Sequence, residues 1–265
     1  AGISDKERVR SYLQSTANLQ FFEVYTFENK DFQGGIMAAD KAIETSLSGI
    51  VDTTANAKVD TTKAKLNKNP LMRIVQFTQP FQGKNGQYVF PAEIGYTLKK
   101  DTGKVNAYLA LPEVKSKFPA NLVFMYGKVE SEDPKAKDVL PLYAIKTLDN
   151  GQAELEGDHV ANAAQDFDER GKVAIKMNMD KLGTNIWAKM TSKNVGKPIA
   201  IVLDNIVYSA PNVNDAITTG NSQISGSYSL KTAQDLAEIL ESGKLPAPAK
   251  IVQEQQVGPT LGKAS

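Results

Sequence analysis

Residues 199–209 constrain the chain more tightly than any other stretch. Ile199-Ala-Ile-Val-Leu203 is a short apolar run, Asp204-Asn205 supplies turn residues, and Ile206 to Ser209 resumes strand character. Two such runs joined by two turn formers read as a β-hairpin, with Asn205 able to take a positive φ at modest cost. Ser209-Ala-Pro211 ends the second strand, because proline has no N–H to give to a ladder. Gln223-Ile-Ser-Gly226 is a further short strand. Ser229 opens a helix whose Leu230, Ala233, Leu236, Ala237 and Leu240 share one face. Gly243 closes that helix, Leu245-Pro-Ala-Pro248 forbids its continuation, and Lys250 to Val257 is a last strand, broken by Gly258-Pro259.

Upstream, Val173, Ile175, Met177 and Met179 alternate as a strand, and Asp180 caps a helix with Leu182, Ile186 and Met190 on one face. From 173 to 257 the order is therefore strand, helix, strand, strand, strand, helix, strand. That order is close to a split βαβ pattern within an α+β fold. Near the start, Ser4-Asp-Lys-Glu7 fits a capping box, with Val9, Tyr12 and Leu13 as the apolar stripe behind it. Leu19 to Phe27 alternates next, with Leu19, Phe21, Tyr25 and Phe27 on one face and Glu23 interrupting it. Gly35 to Leu47 reads as a helix through Ile36, Ala39, Ile43 and Leu47. Residues 48–69 are rich in Thr, Lys, Ala and Asn and read as a linker or exposed hairpin. Ile74 to Phe81 and Tyr88 to Thr97 read as strands split by Gly83-Lys-Asn-Gly86. Asp101 can cap a helix carrying Val105, Tyr108 and Leu109, and Pro112 opens a short turn. Leu122 to Met125 and Leu140 to Thr147 read as strands around the charged loop 130–137.

The chain has 265 residues, enough for one large domain or two small ones, and 41% hydrophobic with 23% charged residues is a globular balance. With 31 basic against 30 acidic residues, no field of one sign arises, so a nucleic-acid partner has no electrostatic support. The absence of cysteine rules out disulfides, zinc–thiolate sites and thiol catalysis. No stretch approaches the apolar length of a membrane helix. Ala1-Gly2 at the start, without methionine, reads as the edge of a fragment or a processed product.

Few residues invite chemistry. His159 is the only histidine, so neither a two-histidine metal site nor a histidine relay can be built from this chain. Beside Asp158 it offers a lone metal or acid–base role, or else it marks a turn at the entry to a strand, which is the reading preferred. Asp166-Phe-Asp-Glu169 offers paired carboxylates to calcium but lacks the further ligands and the glycine at the required spacing, so it reads as a solvated turn before Gly171. Gly258-Pro-Thr-Leu-Gly-Lys263 looks like a phosphate loop but has one residue too few between its glycines. Ala264 stands where a Ser or Thr is needed, and Pro259 removes an amide. Trp187, the single tryptophan, reads as a core or half-buried residue.

The words of the C-terminal part carry a resemblance. Ile-Ala-Ile-Val-Leu-Asp at 199–204, Ser-Ala-Pro at 209–211 and Gln-Ile-Ser-Gly at 223–226 stand in order. Leu-Ala-Glu-Ile-Leu-Glu-Ser-Gly-Lys-Leu-Pro-Ala-Pro at 236–248 and Val-Gly-Pro-Thr-Leu-Gly at 257–262 follow them. Together they closely resemble the end of the first large periplasmic domain of the SecD (SecDF) protein-export membrane protein family. Glu154-Leu-Glu-Gly-Asp-His-Val160 resembles another family word, with Glu156 where threonine is usual. The resemblance covers residues 154–264 well and 7–25 more loosely. The variable stretch 28–115 is similar to that of the longer SecD–SecF fusions of Bacteroidetes-like bacteria.

The resemblance implies a head subdomain, residues 27–245, carrying the variable insertion 28–115. The head is inserted into a partial ferredoxin-like base made of 1–26 and 246–265, in which the strand near 19–27 lies beside 250–257. It implies an accessory subunit of the Sec translocon, on the periplasmic side of the bacterial inner membrane, that binds emerging unfolded preprotein and assists export driven by an ion gradient. Its partners would be preprotein, SecF and the SecYEG channel, with no nucleic acid, no cofactor, no metal and no catalytic residue. The preprotein-contacting residues are left unassigned. A base stripped of strands is expected to associate with another copy. The competing reading is an extracytoplasmic hydrolase or small-ligand enzyme with a carboxylate-only site. Paired carboxylates converging in a deep pocket would favour the enzyme, and a shallow apolar cleft the binding module.

Overall fold

Strand β1 (Leu19–Tyr25) is paired with three other strands at once, and the architecture is built outward from it. The structure, a computed structural model, describes residues 18–49, 68–83, 86–128, 137–225 and 228–242. The expected elements within 4–15 and 250–257, and the 258–263 loop, lie outside the described residues. After β1 come α1 (Lys30–Gly49), β2 (Val75–Phe77), β3 (Phe81–Gln82), β4 (Tyr88–Val89) and β5 (Glu93–Leu98). Next are α2 (Thr102–Ala110), α3 (Pro112–Lys115), β6 (Leu122–Gly127), β7 (Val139–Lys146) and β8 (Leu155–Glu156). The C-terminal part holds β9 (Val160–Phe167), β10 (Val173–Met179), α4 (Lys181–Lys193), β11 (Ile199–Leu203), β12 (Ile206–Ser209), β13 (Asn221–Ser225) and α5 (Leu230–Ser242). The fold is mixed α/β, mostly sheet with a few helices.

The largest sheet closes on itself. Its strands run β2-β5-β7-β6-β12-β11-β1-β8, and β7 also pairs with β1. The strands β1, β11, β12, β6 and β7 therefore form a ring. One half of β1 lies against β11, Leu19 opposite Leu203 and Glu23 opposite Ile199. Its other half lies against β7, Tyr25 opposite Ala144. Because side chains alternate along a strand, each ring strand sends every second residue inward. Phe22, Met125, Tyr143, Ile145, Ala200, Val202 and Val207 make up this inner core. The hairpin at 204–205 has both residues at positive φ, 51° at Asp204 and 65° at Asn205. This matches the twist of the flanking strands, and asparagine and aspartate tolerate it best.

Two further cores cover the outside of the ring. On one side α1 buries Phe32, Ile36, Ala39 and Ile43 at its expected spacing, against Leu71, Val75, Ile94, Val105, Val114, Leu142 and Ala144. On the other, Leu19, Phe21, Ile199, Ile201 and Leu203 face a second, three-stranded sheet in the order β13-β10-β9, together with α4 and α5. In α5, Ser229 accepts from the Thr232 N–H, and Ala233, Leu236, Ala237 and Leu240 are buried while Leu230 is exposed.

Several sequence expectations need correction. The strands on either side of α4 enter different sheets, β10 beside β13 and β9, and β11 beside β1 and β12. A βαβ unit requires both strands in one sheet, so none is formed across α4, and β9, β10 and β13 are all antiparallel. The buried side of α4 is Gly183, Trp187, Met190 and Thr191, whereas Leu182 is exposed. The helix is turned by about one residue from the Leu182 face, because the tryptophan is the larger body to bury. Strand β9 begins directly after the His159 turn, where a strand entry is expected; it has no apolar alternation of its own, and its register comes from the hairpin with β10. Asp101 stands at the start of α2 but its side chain makes no capping bond. The two strands expected over 74–81 and 88–97 are each interrupted, giving β2, β3, β4 and β5.

The inner core should be the most sensitive part of the molecule. Phe22→Ala is expected to cost about 3–5 kcal/mol and Phe22→Leu much less, read from urea unfolding midpoints. Equal, small effects would mean that the ring interior is not tightly filled.

Candidate binding cleft

A cleft of about 230 Å³ opens where the three-stranded sheet faces the outer side of β1 and β11. Phe21, Trp187, Ile199, Ile201 and Met177 give it an apolar lining. The whole of β13 lines it, and so does the segment from Pro211 to Ile217. That segment is pinned by backbone bonds from Ile199 to Pro211, Gly196 to Val213 and Val213 to Lys197, and by the Ile217 N–H donating to Thr191 Oγ1 at 2.9 Å. Trp187 packs edge-on to Phe21 at 5.4 Å, and its indole N–H donates to Ser222 Oγ at 2.7 Å. That bond satisfies the one polar group of a buried indole and ties β13 to α4. Gly220, at φ 77° and close against Thr184, turns the chain into β13 where a side chain would collide. The polar lining is mostly amide, from Asn212, Asn214, Asn221 and Gln223, with Asp215 as its one carboxylate. A second groove of about 200 Å³, lined by Phe27, Ile36, Met37, Met72, Phe77 and Pro80 among others, lies between Phe27 and the 28–115 stretch.

Of the residues weighed in the sequence, Trp187 reaches the cleft, whereas the ionisable ones do not. His159 ends a short turn, Gly157–His159, that leads into β9. Its Nδ1 lies 3.1 Å from Asp180 Oδ2, while Asp180 Oδ1 accepts from the Gly183 N–H at 2.6 Å. These bonds hold the Asp180 carboxyl below its ordinary pKa, the backbone bond first and His159 second. The histidine thus braces the cap of α4 against the entry to β9. Asp168 accepts from the Arg170 and Lys172 N–H groups and closes the β9–β10 hairpin, and Asp166 pairs with Lys176 across the strands. Among the described residues no three His, Asp or Glu side chains are grouped to hold a metal ion.

Two carboxylates do meet elsewhere, at Glu23. The residue is 5% exposed, on the outer face of the ring between the two flanking cores. Lys146 from β7 reaches Oε2 at 2.6 Å, and Lys193 and the Asn194 amide from the end of α4 reach Oε1 at 2.6 and 3.1 Å. Burial alone would raise this carboxyl, but the bonds to Lys146, Lys193 and Asn194 together win and lower it from 4.5 to about 2. Glu154 beside it is pushed up, by burial first and then by the Glu23 charge. Glu23 was visible in the sequence only as a break in an apolar alternation; its partners come from distant elements.

Residues 135–247 match the family model described as SecDF, P1 head subdomain. Fold and cleft define a mixed α/β domain with a groove edged by a strand, and this match gives it a lineage. The chain belongs to the SecD family. It is 36% identical over its whole length to the protein translocase subunit SecD of Rhodothermus marinus, of which it spans 42%. It is 41% identical over 43% of its length to SecD of Rickettsia bellii, covering 22% of that protein. Over 66% of its length it is 34% identical to SecD of Magnetococcus marinus, covering 31%. The chain thus spans less than half the length of the curated relatives it matches. SecDF of Thermus thermophilus, a translocon-associated membrane protein, aligns over 88% of this chain and 30% of its own, at 21% identity and a TM-score of 0.36. No helix among the described residues is long and apolar enough to cross a membrane.

A carboxyl that is lowered on folding stabilises the fold above its unfolded pKa, and that contribution is lost as pH falls through the folded value. Stability should therefore decline between pH 4.5 and about 2 as Glu23 takes up its proton. Glu23→Gln should cost about 1–3 kcal/mol at neutral pH and flatten this acid limb in urea titrations. An unchanged limb would place the acid sensitivity in other carboxylates.

Proposed function

We propose that this chain is the extracytoplasmic part of a Sec translocon accessory subunit, and that its cleft holds an emerging, unfolded preprotein. The observation that carries the reading is the cleft itself, apolar on its inner side, amide-rich at its rim and bordered by a strand edge. An unfolded chain offers scattered apolar side chains and backbone hydrogen-bonding groups, and such a groove suits both. The curated relatives are named as translocase subunits, which supports the same role. The cleft offers Asp215 as a single carboxylate, so acid–base chemistry by a carboxylate pair lacks its second member there, and the hydrolase reading is not favoured.

In the parent protein, residues 27–245 would act as a head on a ferredoxin-like base contributed by 1–26 and 246–265, with β1 shared between the two because it is built into the ring beside β7 and β11. The head would face the periplasm while membrane segments couple it to an ion gradient beside SecF and SecYEG. Holding a segment of chain on the far side hinders its backsliding, and ordering a disordered partner keeps the affinity weaker than about 1 μM for one isolated module.

Photocrosslinking tests the reading. A photoreactive residue at Asn214 or Asp215 should crosslink to a translocating preprotein, and one at Lys100, on the other outer layer, should not. Crosslinks at Lys100 alone would overturn it. Self-association through the base is expected as a concentration-dependent rise in mass by light scattering, or, in a monomer, as fast amide exchange at 20–26 and 250–256; a constant monomer mass together with slow exchange there contradicts it.

A further inference from the structure

We infer that the cleft takes its occupant as an added β-strand, paired with the free edge of β13. This inference rests on the reading of the cleft as a preprotein site and specifies how the chain is held. Among the described residues, β13 is the outer strand of its sheet, with β10 on one side and no strand on the other. Its hydrogen-bonding phase follows from the register. The Met179 N–H donates to Gly220 O at 3.0 Å, so that pair is of the hydrogen-bonded kind. In an antiparallel ladder the kinds alternate, which makes Met177–Ser222 and Ile175–Ile224 hydrogen-bonded as well. Asn221, Gln223 and Ser225 are then the residues whose N–H and C=O groups point away from β10.

The Asn221 N–H has a long contact of 3.4 Å to Thr219 Oγ1, whereas the Gln223 and Ser225 N–H groups have no partner among the described residues. These groups recur every second residue, roughly 7 Å apart, which is the spacing an extended chain presents and a compact ligand does not. The side chains between them, Ser222 and Ile224, turn inward and are buried, and Ser222 is held by Trp187. A strand added at this edge would send every second side chain the same way, towards the apolar lining formed by Phe21, Trp187 and Ile201. Its other side chains would face solvent. Recognition is thus carried by backbone and asks only for an apolar residue at alternate positions. The ligand class is an extended, unfolded polypeptide of almost any sequence with that alternation.

The probe is a heptapeptide of alternating valine and threonine, added to the 265-residue chain. Binding is read from the emission of Trp187 and from amide hydrogen exchange. Strand addition predicts that the peptide slows exchange of the Gln223 and Ser225 amides about tenfold or more, while those of Ser222 and Ile224, already bonded to β10, change little. Gln223→Pro removes an outward N–H and leaves the β10 ladder intact, so it should weaken binding about tenfold. If Trp187 responds but the Gln223 and Ser225 amides exchange as before, strand addition is wrong and the cleft remains a binding site of another mode. If the heptapeptide does not bind while preprotein still crosslinks at Asn214, strand addition again fails alone. Loss of both the peptide and the crosslinks removes the preprotein reading with it. The exchange measurement decides the matter even if the proline variant does not fold.

Discussion

Closure of the ring through β1 is the constraint on which the other layers depend. A small closed sheet has no free edge among its own members, but its interior holds only what every second residue of each strand can supply. Here Phe22, Tyr143, Ile145 and Val202 fill that space, and their neighbours Phe21, Leu142, Ala144 and Ile201 are thereby turned outward. Both outer cores are then built on residues whose direction the ring has already set. A one-residue slip of β1 would exchange Phe21 with Phe22 and place Glu23 among the inner apolar residues.

The buried charge follows from the same geometry. At Glu23 the outer face of β1 passes from the core shared with α4 to the core shared with α1, and an apolar residue there would have no single layer to join. The carboxylate instead collects Lys146 from the ring, and Lys193 and Asn194 from α4. A buried carboxylate with its lone pairs occupied by cations is a satisfied group, and removing one partner costs more than the pair contributes. The cluster fixes the end of α4, from which Thr191 in turn holds the segment bordering the cleft. The cleft is therefore lined by elements fixed on several sides, as a site built on rigid parts requires.

Much of this was legible because local signals agreed with the tertiary fold. Ile36, Ala39 and Ile43 have helical spacing and are buried together; the 199–209 hairpin and the Asp180 cap stand where turn chemistry puts them. What could not be read was which sheet each strand joins. The same order of strands and helices serves a βαβ unit or two separate sheets, and only long-range pairing decides between them. The extent of strand β9 beyond its entry at His159 was hidden for a related reason, since Asn162, Ala164 and Asp166 are strand residues by pairing and not by pattern. The cleft gave no sequence signal because its lining comes from β1, β10, α4, β11, the 211–217 segment and β13, which meet only after folding. Its apolar residues look like any other core residues until one edge of β13 proves to be without a neighbour.

The pairing of Leu19 with Leu203 also sets an order of events for the chain. The β9–β10 and β11–β12 hairpins use neighbours in sequence and can form as soon as they are made, whereas β1 must wait for a strand that lies most of the chain away. Contacts so distant in sequence are slow to form, because the loop between them must be closed before any gain is felt. Until residue 203 is available, Phe21 and Phe22 have no β11 to pair with, and the ring stays a curved, open sheet. The stretch matched by the family model begins at 135, after β1 and β6, and so lacks two of the five strands that make the ring. A polypeptide cut to that length would keep the edge at β13 and lose the closure that shapes the surface opposite it.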